Sequence, residues 1–168
     1  MIKIAKKNID LDDLEILKII SNILKSNKVA TMATSNKDIP WVHAFFYNFD
    51  KDLNLYFLSS SKTRHGLNIN TNSIVAVSIF DTTQDPKIKN KIGLFIEGKC
   101  IELTSPKDVL TCLTNYGKRF LGSIIDNEDV KEMLSDARNS GCYKFTPTYI
   151  KVMVPEAGTK KTIEVFLK

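Results

Sequence analysis

A period of two in apolar and polar positions recurs along this chain in short runs. Segments 28–35, 40–49, 53–59, 74–80 and 92–103 read as strands, followed by 142–154 and a closing 162–167. In 40–49, Trp41, His43, Phe45, Tyr47 and Phe49 share one face and Val42, Ala44, Phe46 and Asn48 the other, so this strand is expected to be covered on both sides. The links Asn36-Lys37-Asp38 and Asp50-Lys51-Asp52 are short and rich in turn formers, which predicts antiparallel neighbours with no crossover helix between them. Gly98 marks a bulge in the long strand, and Pro147, which cannot donate to a ladder, an interruption in the next.

A period near 3.6 predicts helices over 11–26, 105–117 and 127–138. For the first, Asp10 is the expected cap, and Leu14, Leu17, Ile20 and Leu24 the apolar face, widened by Leu11, Ile16 and Ile23. Ser105-Pro106 opens the second and Gly117 ends it. Segment 82–91 reads as a loop.

The chemistry concentrates between two strands, in Ser59-Ser60-Ser61-Lys62-Thr63-Arg64-His65. Ser61 or Thr63 caps a short helix over 63–70, whose open N–H groups and positive dipole end attract an anion, with Lys62, Arg64 and His65 in its first turn. The plainer alternative is a solvated helix start with ordinary basic residues. His43 is read either as a neutral core histidine or as a proton-handling group, Trp41 as a packing residue, and Arg119 as a surface arginine rather than a ligand.

Composition narrows the class. At 168 residues, with 43% hydrophobic and 26% charged residues, the chain suits one globular domain. The formal charge of +5 comes from lysines scattered through turns and helices, without the basic stripe of a nucleic-acid binder; Arg64, Arg119 and Arg138 are the only arginines. No run reaches the roughly 18 apolar residues of a membrane helix, and the basic start lacks a signal-peptide core, so a cytoplasmic location is the expectation. Cys100, Cys112 and Cys142 have neither metal-ligand nor Cys-x-x-Cys spacing and read as small buried hydrophobes. No metal site, nucleophile with a paired base, or catalytic residue is legible.

The run LNLYFLSSSKTRHGLNI at 53–69 resembles the pyridoxamine 5'-phosphate oxidase-like family of FMN-binding split barrels, in particular its small bacterial members with the Lys-Thr-Arg-His form. Its order and spacing relative to WVHAFFYNFD, SIVAVSIFD and IGLFIEGKCIEL extend the likeness over most of the chain. The resemblance implies a mainly β fold, a six-stranded antiparallel Greek-key split barrel with flanking helices. It also implies one FMN-binding domain over 1–168: an N-terminal helix at about 11–26, a barrel at about 28–103 and 142–167, and a helical insert at about 105–138. FMN is the implied cofactor, held at the interface of a homodimer. Thr63, Arg64, His65 and Lys62 match the phosphate ligands, Leu58 and Ser59 the strand end beneath them, and Trp41, Val42, His43 and Ala44 the strand edge that meets the isoalloxazine ring.

Two departures shape the functional expectation. Gly93 stands where several members have glutamine, and no arginine follows Arg138, so the arginine-rich substrate grip of a true pyridoxamine 5'-phosphate oxidase is missing. The resemblance therefore implies a flavin-dependent oxidoreductase of other specificity, with an unknown electron donor or acceptor. The alternative is a non-catalytic module that holds FMN, haem or another anionic ligand.

Overall fold

The computed structural model describes residues 3–7, 11–87, 91–120, 140–154 and 161–168. Its strands are β1 (Ile4–Lys7), β2 (Val29–Asn36), β3 (Ile39–Phe46), β4 (Asn48–Phe49), β5 (Leu55–Ser59), β6 (Ile74–Phe80), β7 (Gly93–Leu103), β8 (Gly141–Val154) and β9 (Lys161–Leu167). Its helices are α1 (Asp13–Ser26), α2 (Arg64–Thr71) and α3 (Pro106–Phe120). The expected helix over 127–138 lies outside the described residues.

All strand pairs are antiparallel, in the order β1-β9-β8-β7-β6-β2-β3, with β5 joining β4 to β8. Among the described residues nine strands replace the expected six. Ile4–Lys7 adds an edge to β9, the closing run is a full partner of β8, and the aromatic run breaks at Tyr47, whose amide donates to the Lys28 carbonyl. The β2–β3 turn puts Lys37 and Asp38 at φ 50° and 62°, the mirror-image hairpin turn whose twist matches the flanking strands.

The long β8 explains the split form. Its first part, Gly141 to Phe145, pairs with β5, and its second, Tyr149 to Val154, with β9, while β7 runs along its other side throughout. Pro147 sits at the changeover, opposite Gly98, where the β7–β8 register shifts between Glu97 and Gly98. The bulge falls where Gly98 predicts it, but β8 continues through Pro147 instead of breaking.

One apolar core gathers Ile16, Ile20, Ile23 and Leu24 of α1 with Met32, Phe45, Phe57, Ile79, Leu94 and Val152 from the strands. The stripe on α1 is rotated from expectation, because Leu14 is 69% exposed and Ile16 takes the inward place. Its cap is Asp12, not Asp10: the Asp12 carboxylate accepts from the Leu14 amide at 2.7 Å, and Glu15 accepts from the Asp12 amide at 3.3 Å. Nor does Gly117 end α3, which runs on to Phe120.

A single carboxylate organises the turn into β5. Asp50 accepts from the amides of Asp52 and Asn54 at 2.9 and 3.0 Å, from the Asn54 side chain at 2.8 Å and from the Tyr56 hydroxyl at 2.9 Å. These bonds hold buried Leu53 at φ 60°, a region a branched side chain rarely enters. Asp50→Ala strands several of those donors and is expected to cost about 2–3 kcal/mol in urea unfolding; a change below about 0.5 kcal/mol would contradict this reading of the turn.

Candidate functional site

The site is assembled where β5 ends. Thr63 caps α2, its hydroxyl accepting from the Gly66 amide at 3.2 Å and donating to the Ser60 carbonyl at 2.7 Å. The Leu67 amide takes the Thr63 carbonyl, so the amides of Arg64 and His65 are the ones left without an acceptor among the described residues. Gly66 is required here: a Cβ would stand 2.7 Å from the Ser60 carbonyl oxygen and 2.9 Å from Ser61 Cα. Between Ser61 and Thr63, the cap is therefore Thr63.

Two polar contacts, one of them buried, fix α2 against β2. Asn68, 5% exposed, donates to the Thr34 hydroxyl at 3.0 Å, and Asn72 donates to the Ser35 hydroxyl at 3.2 Å. Sequence reasoning passed over both asparagines, since a polar residue on a helix face signals nothing until its partner strand is known.

Docked in this way, α2 brings together residues far apart in the chain. The His65 ring stacks on His43 at 3.6 Å and 6°, and its Nε2 lies 2.5 Å from Ser59 Oγ. The Arg64 guanidinium sits 4.4 Å from the Trp41 ring centre, with no carboxylate partner among the described residues. Lys62 is exposed and Leu58 half-buried. Val42 and Ala44 do not join this group: both are exposed on the opposite face of β3, so only their backbone shares the strand edge.

Burial sets the charge of the imidazoles. Desolvation, and next the nearby His65, lower the His43 pKa from 6.5 to about 4, and desolvation lowers that of His65 too. Both rings are neutral at pH 7, which lets them stack, and among the described residues neither buried His43 nitrogen has a hydrogen-bond partner. Positive charge therefore comes from Arg64 and Lys62. A depressed histidine pKa means that the unfolded chain binds the proton more tightly. The His43 contribution is thus present above about pH 6.5 and lost as pH falls toward 4. Allowing for screening of a half-buried ring, that loss is about 1–2 kcal/mol. Urea unfolding of His43→Gln at neutral and acid pH is expected to show a shallower pH dependence than the wild type, and equal slopes would contradict it.

Arg119 proves to be a structural arginine. Its guanidinium lies 4.6 Å from the Tyr47 ring centre and donates to the carbonyls of Leu24 and Asn27 at the end of α1. A cavity of ≈ 570 Å³ beside it, lined by Ser21, Lys25, Phe49 and Lys51, is remote from the His65 group. Gly93 also has a packing reason: a Cβ there would meet the Phe80 ring at 2.9 Å and the Ile79 carbonyl oxygen at 3.1 Å, so a glutamine has no room without rearrangement. Among the described residues, no group of three or more His, Cys, Asp or Glu side chains is placed to hold a metal ion, and no helix is long and apolar enough to cross a membrane.

No protein-family model matches the sequence. The UPF0306 protein PM1958 of Pasteurella multocida (strain Pm70) is 32% identical over 66 residues, 39% of this chain and 44% of that protein, so the chain matches less than half the length of this curated relative. Solved structures are similar over more of the chain. The conserved hypothetical protein Rv2991 of Mycobacterium tuberculosis aligns with TM-score 0.71 and 15% identity, over 92% of this chain and 95% of that one. A Listeria innocua protein assigned to pyridoxamine 5'-phosphate oxidase aligns with TM-score 0.59 and 17% identity, over 82% and 97%. HutZ, the haem storage protein of Vibrio cholerae, aligns with TM-score 0.61 and 17% identity, over 76% and 87%. With its antiparallel strands shared out along β8, this chain has the split-barrel fold of the pyridoxamine 5'-phosphate oxidase-like proteins.

Proposed function

We propose that the protein binds FMN and acts as a flavin-dependent oxidoreductase, without the substrate grip of a pyridoxamine 5'-phosphate oxidase. The observation that carries this is the Thr63-capped start of α2, where the amides of Arg64 and His65 have no acceptor among the described residues and the Arg64 guanidinium lies over the Trp41 ring. Those donors suit a phosphate. A guanidinium held against an aromatic face with no carboxylate competitor among the described residues keeps its fork for an incoming oxyanion. Thr63, Arg64, His65 and Lys62 would hold the phosphate, Leu58 and Ser59 form the strand end beneath it, and the Trp41 to Ala44 edge would meet the ring system. Bound FMN supplies hydride or single-electron transfer. The chain orients it, and neutral His65, positioned by Ser59, accepts or donates a hydrogen bond beside it.

The same reading includes a homodimer with the cofactor at the subunit interface. Covering of β3 on both faces was the expectation, yet its outer face is open, with Val42 at 57% and Phe46 at 55% exposed. Neighbouring outward positions add Val29, Ile74 and Phe80 and a depression of ≈ 400 Å³ between Thr31, Ala76, Phe95 and Tyr149. A partner subunit would cover this surface.

A second reading, a non-catalytic holder of haem, is favoured by one feature: the buried His43 nitrogens have no partner among the described residues. An absorbance spectrum of the purified protein, then a stopped assay of reduced nicotinamide with added FMN, separates the two. Flavin bands with nicotinamide oxidation support the oxidoreductase. A haem Soret band, or bound flavin without turnover by any donor, supports the holder.

A further inference from the structure

Three cysteines are buried, and they differ in their surroundings. Cys100 lies in the main core among apolar side chains, its thiol pushed up to about 12 by burial. Cys112 of α3 and Cys142 of β8 meet in a separate small cluster with Tyr56 and Leu113, and each thiol is the strongest influence on the other's protonation. Two elements thus bring together sulfurs that are thirty positions apart in the sequence. No Cys-x-x-Cys motif announces the pair, which exists only through the docking of α3 on β5 and β8.

We propose that Cys112 and Cys142 form a reversible intramolecular disulfide, a modification site closed by hydrogen peroxide. The proximity of the two thiols, first among the causes, lowers the pKa of Cys142 and raises that of Cys112, so Cys142 is the attacking sulfur. Its thiolate attacks one peroxide oxygen, the O–O bond breaks, and the departing hydroxide is protonated to water, leaving a sulfenic acid. Cys112 then attacks the Cys142 sulfur, the S–O bond breaks, and a second water leaves. Two thiols and one peroxide give one disulfide and two waters. With Cys112 at 0% and Cys142 at 2% exposure, peroxide enters only when α3 opens locally, so the reaction is slower than that of a free thiol.

The position gives the bridge a consequence. Across the β5–β8 ladder Cys142 faces Leu58 and Gly141 faces Ser59, the residue whose hydroxyl contacts His65. Closing the disulfide ties α3 to β8, the strand paired with the β5 end beneath the candidate site.

The sequence places each cysteine on its own tryptic peptide: Cys100 on 100–107, Cys112 on 108–118 and Cys142 on 139–144. The folded protein is treated with hydrogen peroxide, quenched with N-ethylmaleimide, digested without reductant and mapped by mass spectrometry. The expected product is 108–118 joined to 139–144. It is released by dithiothreitol and absent from Cys112→Ser, and the Cys100 peptide is alkylated only after unfolding. The map of the wild type decides the matter even if that variant fails to fold. Three results would overturn the proposal: cross-links to Cys100, sulfinic or sulfonic acid at Cys142 without a cross-link, or thiols untouched at peroxide concentrations that oxidise the unfolded chain.

Discussion

Arg64→Ala is expected to weaken FMN binding by roughly 10- to 100-fold, the equivalent of one or two charge-assisted hydrogen bonds. The guanidinium rests on Trp41, outside the apolar core, and closes no ion pair within the described residues. Its removal should therefore shift the melting temperature by no more than about 2 °C. Arg64→Lys separates charge from shape: it keeps the cation, loses the two-pronged donor, and should fall between the two. Fluorescence titration of FMN against the three proteins reads this directly. If Arg64→Ala binds as tightly as the wild type, the phosphate is not at the start of α2.

The largest effect on stability is expected at Gly98. A Cβ there would stand 2.2 Å from the Thr146 carbonyl oxygen and 2.8 Å from two ring carbons of Phe145. Neither neighbour yields easily, because the first is backbone in a paired strand and the second is a fully buried side chain. Gly98→Ala must push β7 and β8 apart at their register shift, at a cost of about 3 kcal/mol or more. A fall in melting temperature of roughly 6 °C or more follows for a chain of this size. Gly93→Ala is the contrast: its main obstacle is the partly exposed Phe80 ring, which can turn aside, and about 1 kcal/mol is expected. Equal melting temperatures for Gly98→Ala and the wild type would show that the bulge has more slack than the structure gives it.

How far the fold is legible in the sequence varies with the element. The strand 74–80 is readable to the residue, because Ile74 to Phe80 alternate between breakers on both sides. Ile4–Lys7 is not, since a short run ending in two lysines acquires strand character only from its partner β9. On α1 the apolar residues are numerous enough to allow two stripes, and only packing decides that Leu14 faces water and Ile16 the core. The same limit applies at the candidate site. Thr63, Arg64 and His65 are legible as a helix start because capping and dipole effects are local. The stacking of His65 on His43, and the fixing of α2 by Asn68 and Thr34, join residues 22 and 34 positions apart. Arg119 needed a partner more than ninety positions away to reveal it as the tie between α3 and the end of α1.

The most direct test of the phosphate cradle is a paired titration of the wild-type protein with FMN and with riboflavin, which share a ring system and differ in the phosphate. Binding of FMN at least roughly tenfold tighter than riboflavin, weakening as salt is raised, is the predicted result. Equal affinity for the two, or no FMN binding at concentrations far above that of the protein, would contradict it.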